Sequence, residues 1–318
     1  MSRSTISTFQ LFEMYPNAES ARKYLEGRLW KNGTVCPKCK GKENITTRKG
    51  GYYRCNPCHL DFTIRTGTIF ERSHVPLHRW LYAMYLLVTA RKGISSVQLA
   101  KQIGITQKSA WFVLQRLREA CGGDPALLRG IVEIDEAYFG GREQNKHMSK
   151  QHYGGSGTIG KTVVIGMRER NAQKRVRAFP VQGSGKISLM NAITDNVQKG
   201  SIIHTDEYLA YKNVTKLHYK HATVNHKRYE YSKNGVTTNG VESVWAVMKR
   251  GLNGVYHKAS PKHLGRYVNE FTWRLNEGNV KRHSLERLDS LVDAIVGKRL
   301  TYENLIAPNE LDSTPIDF

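Results

Sequence analysis

The sequence predicts a multidomain α+β protein, and three observations carry that prediction. Two Cys-x-x-Cys pairs lie near the N-terminus, amphipathic helical patterns fill about 77–121, and β-branched strand patterns begin after Gly122-Gly123-Asp124-Pro125. A length of 318 residues suits two or three domains of ordinary size.

Residues 1–33 read as a helical preface. Asn17-Ala18-Glu19-Ser20 has the chemistry of a helix start, and Ala21, Tyr24, Leu25, Leu29 and Trp30 then share one face. Residues 34–72 hold the cysteines: Cys36 and Cys39, then Cys55 and Cys58, with 54 − 39 = 15 residues between the pairs. That spacing is the one a structural zinc site uses. Each Cys-x-x-Cys turn aims two thiolates at one ion, and two turns close a tetrahedral shell with no open position for water. The expected Zn²⁺ therefore builds structure and leaves chemistry to other residues. Tyr52 and Tyr53 suit a short β-ribbon, which completes a zinc ribbon. A disulfide framework or a redox pair is the competing reading, but the first ten residues hold no secretory hydrophobic core, so a reducing cytoplasm is expected. Cys121 is then a packed free thiol.

Residues 73–122 read as a helix-turn-helix unit. Trp80, Leu81, Met84, Tyr85, Leu87 and Val88 form one apolar stripe. Ser95-Ser96 starts a second helix with Val97, Leu99, Ala100 and Ile103. Gly104-Ile105 turns the chain, and Thr106 caps a third helix with Ala110, Val113, Leu114 and Leu117. In such a unit the first turns of the last helix meet base edges, here Gln107, Lys108 and Ser109 beside Trp111 or Phe112. Gln115, Arg116 and Arg118 fall nearer phosphate. The plain alternative is an ordinary three-helix packing unit. Net charge favours the first reading: 49 basic against 27 acidic residues leave +22, which attracts polyanions and makes double-stranded DNA the leading partner. A membrane partner is not expected, since there is no long apolar run, lipidation motif or strongly amphipathic basic helix.

Residues 128–300 read as an α/β domain and 301–318 as a tail, acidic and loose after Pro308. Strand patterns cover 131–135, 162–168, 175–181 and 201–205. Helical patterns cover 186–198, 238–251 and the stretch after Ser260-Pro261. Residues 140–160 form a long basic loop, with Arg142, Lys146 and Lys150 placed to track a DNA backbone or simply to be solvated. Three carboxylates stand out: Asp135 and Asp206 each end a strand, and Glu242 sits early on a helix, at separations of 206 − 135 = 71 and 242 − 206 = 36 residues. Strand ends that lie side by side can bring such groups together, and the cluster repels itself unless hard divalent cations, Mg²⁺ or Mn²⁺, neutralise it. Two such ions about 4 Å apart suit in-line phosphoryl transfer. Glu133, Glu136 and Glu207 compete for the same roles, and strand alternation puts Glu133 on the face of Asp135. Lys249 lies two helical turns after Glu242, on its face, and suits a DNA phosphate. Asn239 suits a helix cap or a polar contact at the site, and His204 a structural or DNA-contacting role.

Three stretches carry a family resemblance: Val132-Glu133-Ile134-Asp135-Glu136-Ala137-Tyr138-Phe139-Gly140-Gly141, His204-Thr205-Asp206-Glu207-Tyr208, and Asn239-Gly240-Val241-Glu242-Ser243-Val244-Trp245 through Lys249-Arg250-Gly251. With the zinc-ribbon pattern they resemble bacterial insertion-sequence transposases that carry an N-terminal zinc ribbon, a group related to the Merlin elements. The resemblance implies a ribonuclease H-like catalytic domain and an Asp-Asp-Glu triad made by Asp135, Asp206 and Glu242, with Lys249 as the accompanying basic residue. It also implies binding of terminal inverted repeats, metal-dependent strand cleavage and transfer, and synapsis of ends by a homo-oligomer. Two rivals stand beside it: a zinc-dependent DNA-binding regulator without catalysis, and a nuclease without strand transfer.

Overall fold

A computed structural model describes residues 5–123, 126–141, 143–151, 157–225, 232 and 235–307. They fall into two compact units, one built on Met1–Gly122 with Glu277–Ile306, the other on Gly123–Asn276. The α/β part thus ends at about 276, short of the expected 300.

In the first unit, α1 (Thr8–Met14) and α2 (Ala18–Leu29) open the chain. Asn17 caps α2, its Oδ1 accepting the Glu19 and Ser20 backbone N–H groups. Strands β1 (Ile45–Arg48), β2 (Tyr52–Cys55) and β3 (Leu60–Phe62) form an antiparallel three-stranded sheet. Trp30 packs edge-on against Tyr53 and Phe62, which gives this small ribbon an aromatic core next to its cysteines. Helix α3 (Leu77–Thr89) is buried on nearly all sides. Helix α4 (Ser96–Ile103) ends at Gly104, whose φ of 64° suits a residue without a Cβ, and α5 (Gln107–Ala120) starts at its Thr106 cap.

The same unit recovers further elements from the far end of the chain, among them a short helix over Tyr302–Ile306 with Leu305 buried, where a tail was expected. After 276 the chain forms a helix over Ser284–Asp293 whose Leu288, Leu291 and Val292 are fully buried. Arg28 Nε donates to Asp293 at 2.8 Å, and Arg287 Nη1 to the Val88 carbonyl at 2.9 Å. These contacts join residues some 200 positions or more apart, which is why a local pattern could not assign the segment.

The second unit is a mixed five-stranded sheet between two helical layers. Its strands are β4 (Ile131–Phe139), β5 (Thr162–Glu169), β6 (Val176–Val181), β7 (Ile202–Asp206) and β8 (Lys220–Val224), in the order β6-β5-β4-β7-β8. β4, β7 and β8 run parallel, and β5 is antiparallel to both its neighbours. Helix α6 (Lys186–Asn196) and the 3-10 segment Leu209–Leu217 cover one face, over Ile134, Ile165 and Ile203. Helices α7 (Asn239–Gly251) and α8 (Pro261–Asn276) cover the other, over Ala137, Val164 and Ala178. Alternation along each strand sends successive side chains into these two cores.

Candidate active site and metal centre

In the ribbon, Cys36 Sγ lies 3.5 Å from Cys58 Sγ, and Cys39 Sγ 3.6 Å from Cys55 Sγ. All four sulfurs fall within 4.8 Å of one another. A tetrahedron with Zn–S bonds of about 2.3 Å has edges of about 3.8 Å, so the four cysteines fit a structural zinc ion. Burial raises the Cys36 thiol, but the backbone N–H groups of Cys39 and Lys38 and the neighbouring thiols outweigh it and hold it at about 7.

In the second unit β4 and β7 pair in parallel with Glu133 opposite His204, an offset of 71 residues. The same offset separates Asp135 from Asp206, two residues past the last paired residues and on the same sheet face. Asp206 ends β7 as expected, but Asp135 does not end its strand: β4 runs on to Phe139 because β5 pairs with its whole length. α7 packs on the same sheet face and carries Glu242 in its first turn. Three groups hold the acids. The Trp245 indole Nε1–H donates to Asp135 Oδ2 at 2.9 Å, the Tyr208 backbone N–H to Asp206 Oδ1 at 3.0 Å, and the Thr238 hydroxyl to Glu242 Oε1 at 2.9 Å. Burial, then the charges of Asp206 and Glu242, push the Asp135 carboxyl up to about 6, against the downward pull of the Trp245 N–H. The three acids are thus electrostatic neighbours. Among the described residues only the four cysteines bring three or more such ligand atoms within 4.8 Å. At least one pair of these acids therefore stands wider than that.

The competing acids have other occupations. Glu133, 2% exposed, points toward the N-terminus of α7, where its Oε2 accepts the Val241 backbone N–H at 2.8 Å. Glu136 accepts the Tyr211 hydroxyl, and burial, then the charges of Asp135 and Asp206, raise it to about 7 against that hydrogen bond. Glu207 is exposed. Thr238, not Asn239, occupies the N-cap position of α7. His204 is buried in the sheet, which fits a structural role and leaves no face for DNA. Lys249 is exposed in the last turn of α7. In the basic loop Lys146 pairs with Glu143, while Arg142 and the side chain of Lys150 lie outside the described residues.

On α5, Gln107, Lys108 and Ser109 are exposed at the first turn, where base contacts were expected. Gln107 Nε2 donates to Ser96 Oγ at 2.8 Å, and the Thr106 hydroxyl donates to Ser109 Oγ at 2.9 Å. The expectation for Gln115 and Arg116 needs correction. Gln115 is fully buried and Arg116 only 5% exposed, so neither can meet a phosphate. The Arg116 guanidinium instead donates to the backbone carbonyls of Ile69 (2.9 Å), Glu71 (2.8 Å) and Leu300 (3.2 Å). Arg118 is buried as well. The returning C-terminal segment covers this half of α5, and nothing local to 107–120 signals that cover.

A four-cysteine zinc ribbon joined in one chain to a mixed α/β unit that carries acids on two adjacent strands marks the class of protein. Comparison with known families makes it specific. Residues 127–276 match the family described as the ISXO2-like transposase domain, and residues 16–61 match the transposase zinc-ribbon domain. The chain belongs to the insertion-sequence transposases with an N-terminal zinc ribbon. An uncharacterized protein in transposable element ISH50 of Halobacterium salinarum is 29% identical over 259 residues, which span 77% of this chain and 86% of that protein. An uncharacterized transposase-like protein of Haemophilus influenzae is 27% identical over 94 residues, 30% of this chain and 75% of that one. The cryo-EM structure of the simian T-cell lymphotropic virus intasome in complex with PP2A regulatory subunit B56 gamma matches at 16% identity and a TM-score of 0.28. That match covers 59% of this chain and 65% of that chain, and a likeness so weak carries no argument.

Proposed function

We propose that this transposase binds the terminal inverted repeats of its element and carries out metal-dependent DNA cleavage and strand transfer at Asp135, Asp206 and Glu242. The observation that carries the reading is the placement of Asp135 on β4 and Asp206 at the end of the adjacent parallel strand β7, on one sheet face, with the charge of Glu242 reaching Asp135 from α7. The strand order supports a ribonuclease H-like domain: numbered within the unit it is 3-2-1-4-5, with the second strand antiparallel.

The donor set fits Mg²⁺ or Mn²⁺, since every ligand is a carboxylate oxygen. A pair of such ions is the arrangement that suits in-line phosphoryl transfer. When bound, such ions supply Lewis-acid polarisation of the scissile phosphate and ease deprotonation of the attacking hydroxyl. The protein's own part is positional. Trp245 orients Asp135, the Tyr208 N–H orients Asp206, and Thr238 orients Glu242. Lys249 holds a DNA phosphate on the exposed end of α7. In the helix-turn-helix reading of α4 and α5, Gln107, Lys108 and Ser109 read the element ends. Double-stranded DNA is both end and target, the working form is a homo-oligomer that brings two ends together, and the compartment is the bacterial cytoplasm.

A nicking assay in Mg²⁺, on end sequences taken from inverted repeats flanking the coding sequence, tests the reading, with Asp206→Asn as control. Nicks and joined 3′-end products that vanish in the variant are expected. Nicking that survives Asp206→Asn removes Asp206 from the site, and nicks without joined products leave a nuclease.

A further inference from the structure

We propose that Glu133 is a positioning residue: with Trp245 it locks α7 in one axial register along β4, and so delivers Glu242 beside Asp135. The inference rests on the proposed acid site and adds how that site is assembled.

Glu133 caps α7 from a neighbouring strand. The Thr238 hydroxyl at the N-cap position is turned to Glu242 and makes no cap hydrogen bond. The Thr237 hydroxyl accepts from the Asn239 N–H at 3.1 Å, and the Val241 N–H finds its acceptor in Glu133 Oε2 at 2.8 Å. A carboxylate there also meets the positive end of the helix dipole. The approach is close: a Cβ added at Gly240 would lie 2.3 Å from Glu133 Oε2 and would push the carboxylate aside. Arg170 Nε, 3.3 Å from Glu133 Oε1, offsets the buried charge.

The second anchor is one helical turn on, where Trp245 Nε1 donates to Asp135 Oδ2 at 2.9 Å. The two spacings match. Four helix residues, 241 to 245, rise about 6 Å, and two strand residues, 133 to 135, advance about 6.6 Å. The contacts can therefore form together in only one register. A one-residue slip of the helix would turn Glu242 by about 100° away from the sheet. Gly166, opposite Asp135 on β5, leaves the space for the indole: a Cβ there would lie 2.4 Å from Trp245 Cη2. Two acids two residues apart on one strand face thus divide the work. Glu133 grips the helix, and Asp135 is left for the reaction.

The test compares full-length Glu133→Gln, Glu133→Ala, Trp245→Phe and Asp135→Asn in three measurements: Mn²⁺ titration by calorimetry, nicking rate against Mn²⁺ concentration, and affinity for end DNA. Glutamine keeps an oxygen for the Val241 N–H, so Glu133→Gln should retain cleavage within a few-fold of the parent. Glu133→Ala and Trp245→Phe should each raise the half-saturating Mn²⁺ concentration about tenfold, the effect of one lost hydrogen bond to a charged group, with end-DNA affinity unchanged. Wild-type Mn²⁺ dependence in a folded Glu133→Ala overturns the proposal. So does loss of cleavage in Glu133→Gln as complete as in Asp135→Asn, which would make Glu133 a ligand. If Glu133→Ala fails to fold, Trp245→Phe decides, and wild-type Mn²⁺ dependence there overturns the proposal. Wild-type Mn²⁺ binding in Asp135→Asn would instead sink the acid-site reading beneath it.

Discussion

Replacing Gly166 by alanine should injure the acid site through a residue that carries no chemistry. Gly166 faces Asp135 across the β4–β5 ladder, and Trp245 fills the space above it. A Cβ built there lies 2.4 Å from Trp245 Cη2, 2.5 Å from Cζ2 and 3.2 Å from Val241 Cγ2. Carbon atoms pack at about 3.5–4.0 Å, so the indole must retreat by about 1 Å. The core around it is close-packed, and forcing in one methyl group costs about 1–3 kcal/mol. At roughly 2–4 °C per kcal/mol for a unit of this size, the melting temperature should fall by roughly 2–12 °C. The shift also pulls Nε1 away from Asp135 Oδ2, now at 2.9 Å. Metal-dependent nicking should then drop about tenfold, the worth of one charge-assisted hydrogen bond. Differential scanning calorimetry with a nicking time course reads both effects. Since Gly166 has no positive φ, alanine brings no backbone strain, and the steric account stands alone. A Gly166→Ala protein that melts and nicks like the parent would refute the seating of Trp245 against this strand.

Other consequences are as open to measurement. Stripping zinc with a chelator, or Cys36→Ser, should unfold the ribbon around Trp30, Tyr53 and Phe62, seen as rapid proteolysis within 34–72 and a red-shifted tryptophan emission; an unchanged digestion pattern would deny the metal its structural role. Arg116→Ala strands three carbonyls and should lower stability by about 2–4 kcal/mol, whereas Lys108→Ala should leave the melting temperature alone, weaken DNA binding and reduce the salt slope by about 1; the reverse pattern would return Arg116 to the DNA surface. The acid cluster should make the protein without Mg²⁺ or Mn²⁺ less stable as pH rises. Asp135 is held at about 6 against an ordinary 3.8, and Glu136 at about 7 against 4.5, so between about pH 4 and 7 the folded chain keeps protons that the unfolded chain has released. Stability is lost through that window, by at most about 3 kcal/mol for Asp135 alone. Melting curves at pH 5 and 7.5 should show a larger fall for the parent than for Asp135→Asn, and Mn²⁺ should reverse it at pH 7.5; equal falls would refute the assignment.

Taken alone, the sequence determined what short-range order can carry. The four zinc ligands span only residues 36–58, so their geometry follows from two turns and a ribbon. The helices over 77–120 follow from apolar periodicity and from the Ser95 and Thr106 caps. The carboxylates Asp135 and Asp206 were visible as a type, because a charged group in or after an apolar strand is a local signal, although β4 continues past Asp135 to Phe139. Tertiary structure decided the rest. Strand alternation puts Glu133 and Asp135 on one face, and only the axial placement of α7, made by contacts more than 100 residues apart in the chain, gives the first a helix end and the second an indole N–H. Arg116 has the sequence context of a phosphate contact, but a segment 184 residues further on closes over it. Periodicity reports which face of an element is apolar; which neighbour covers a polar residue depends on chain returning from far away, and no local pattern encodes that.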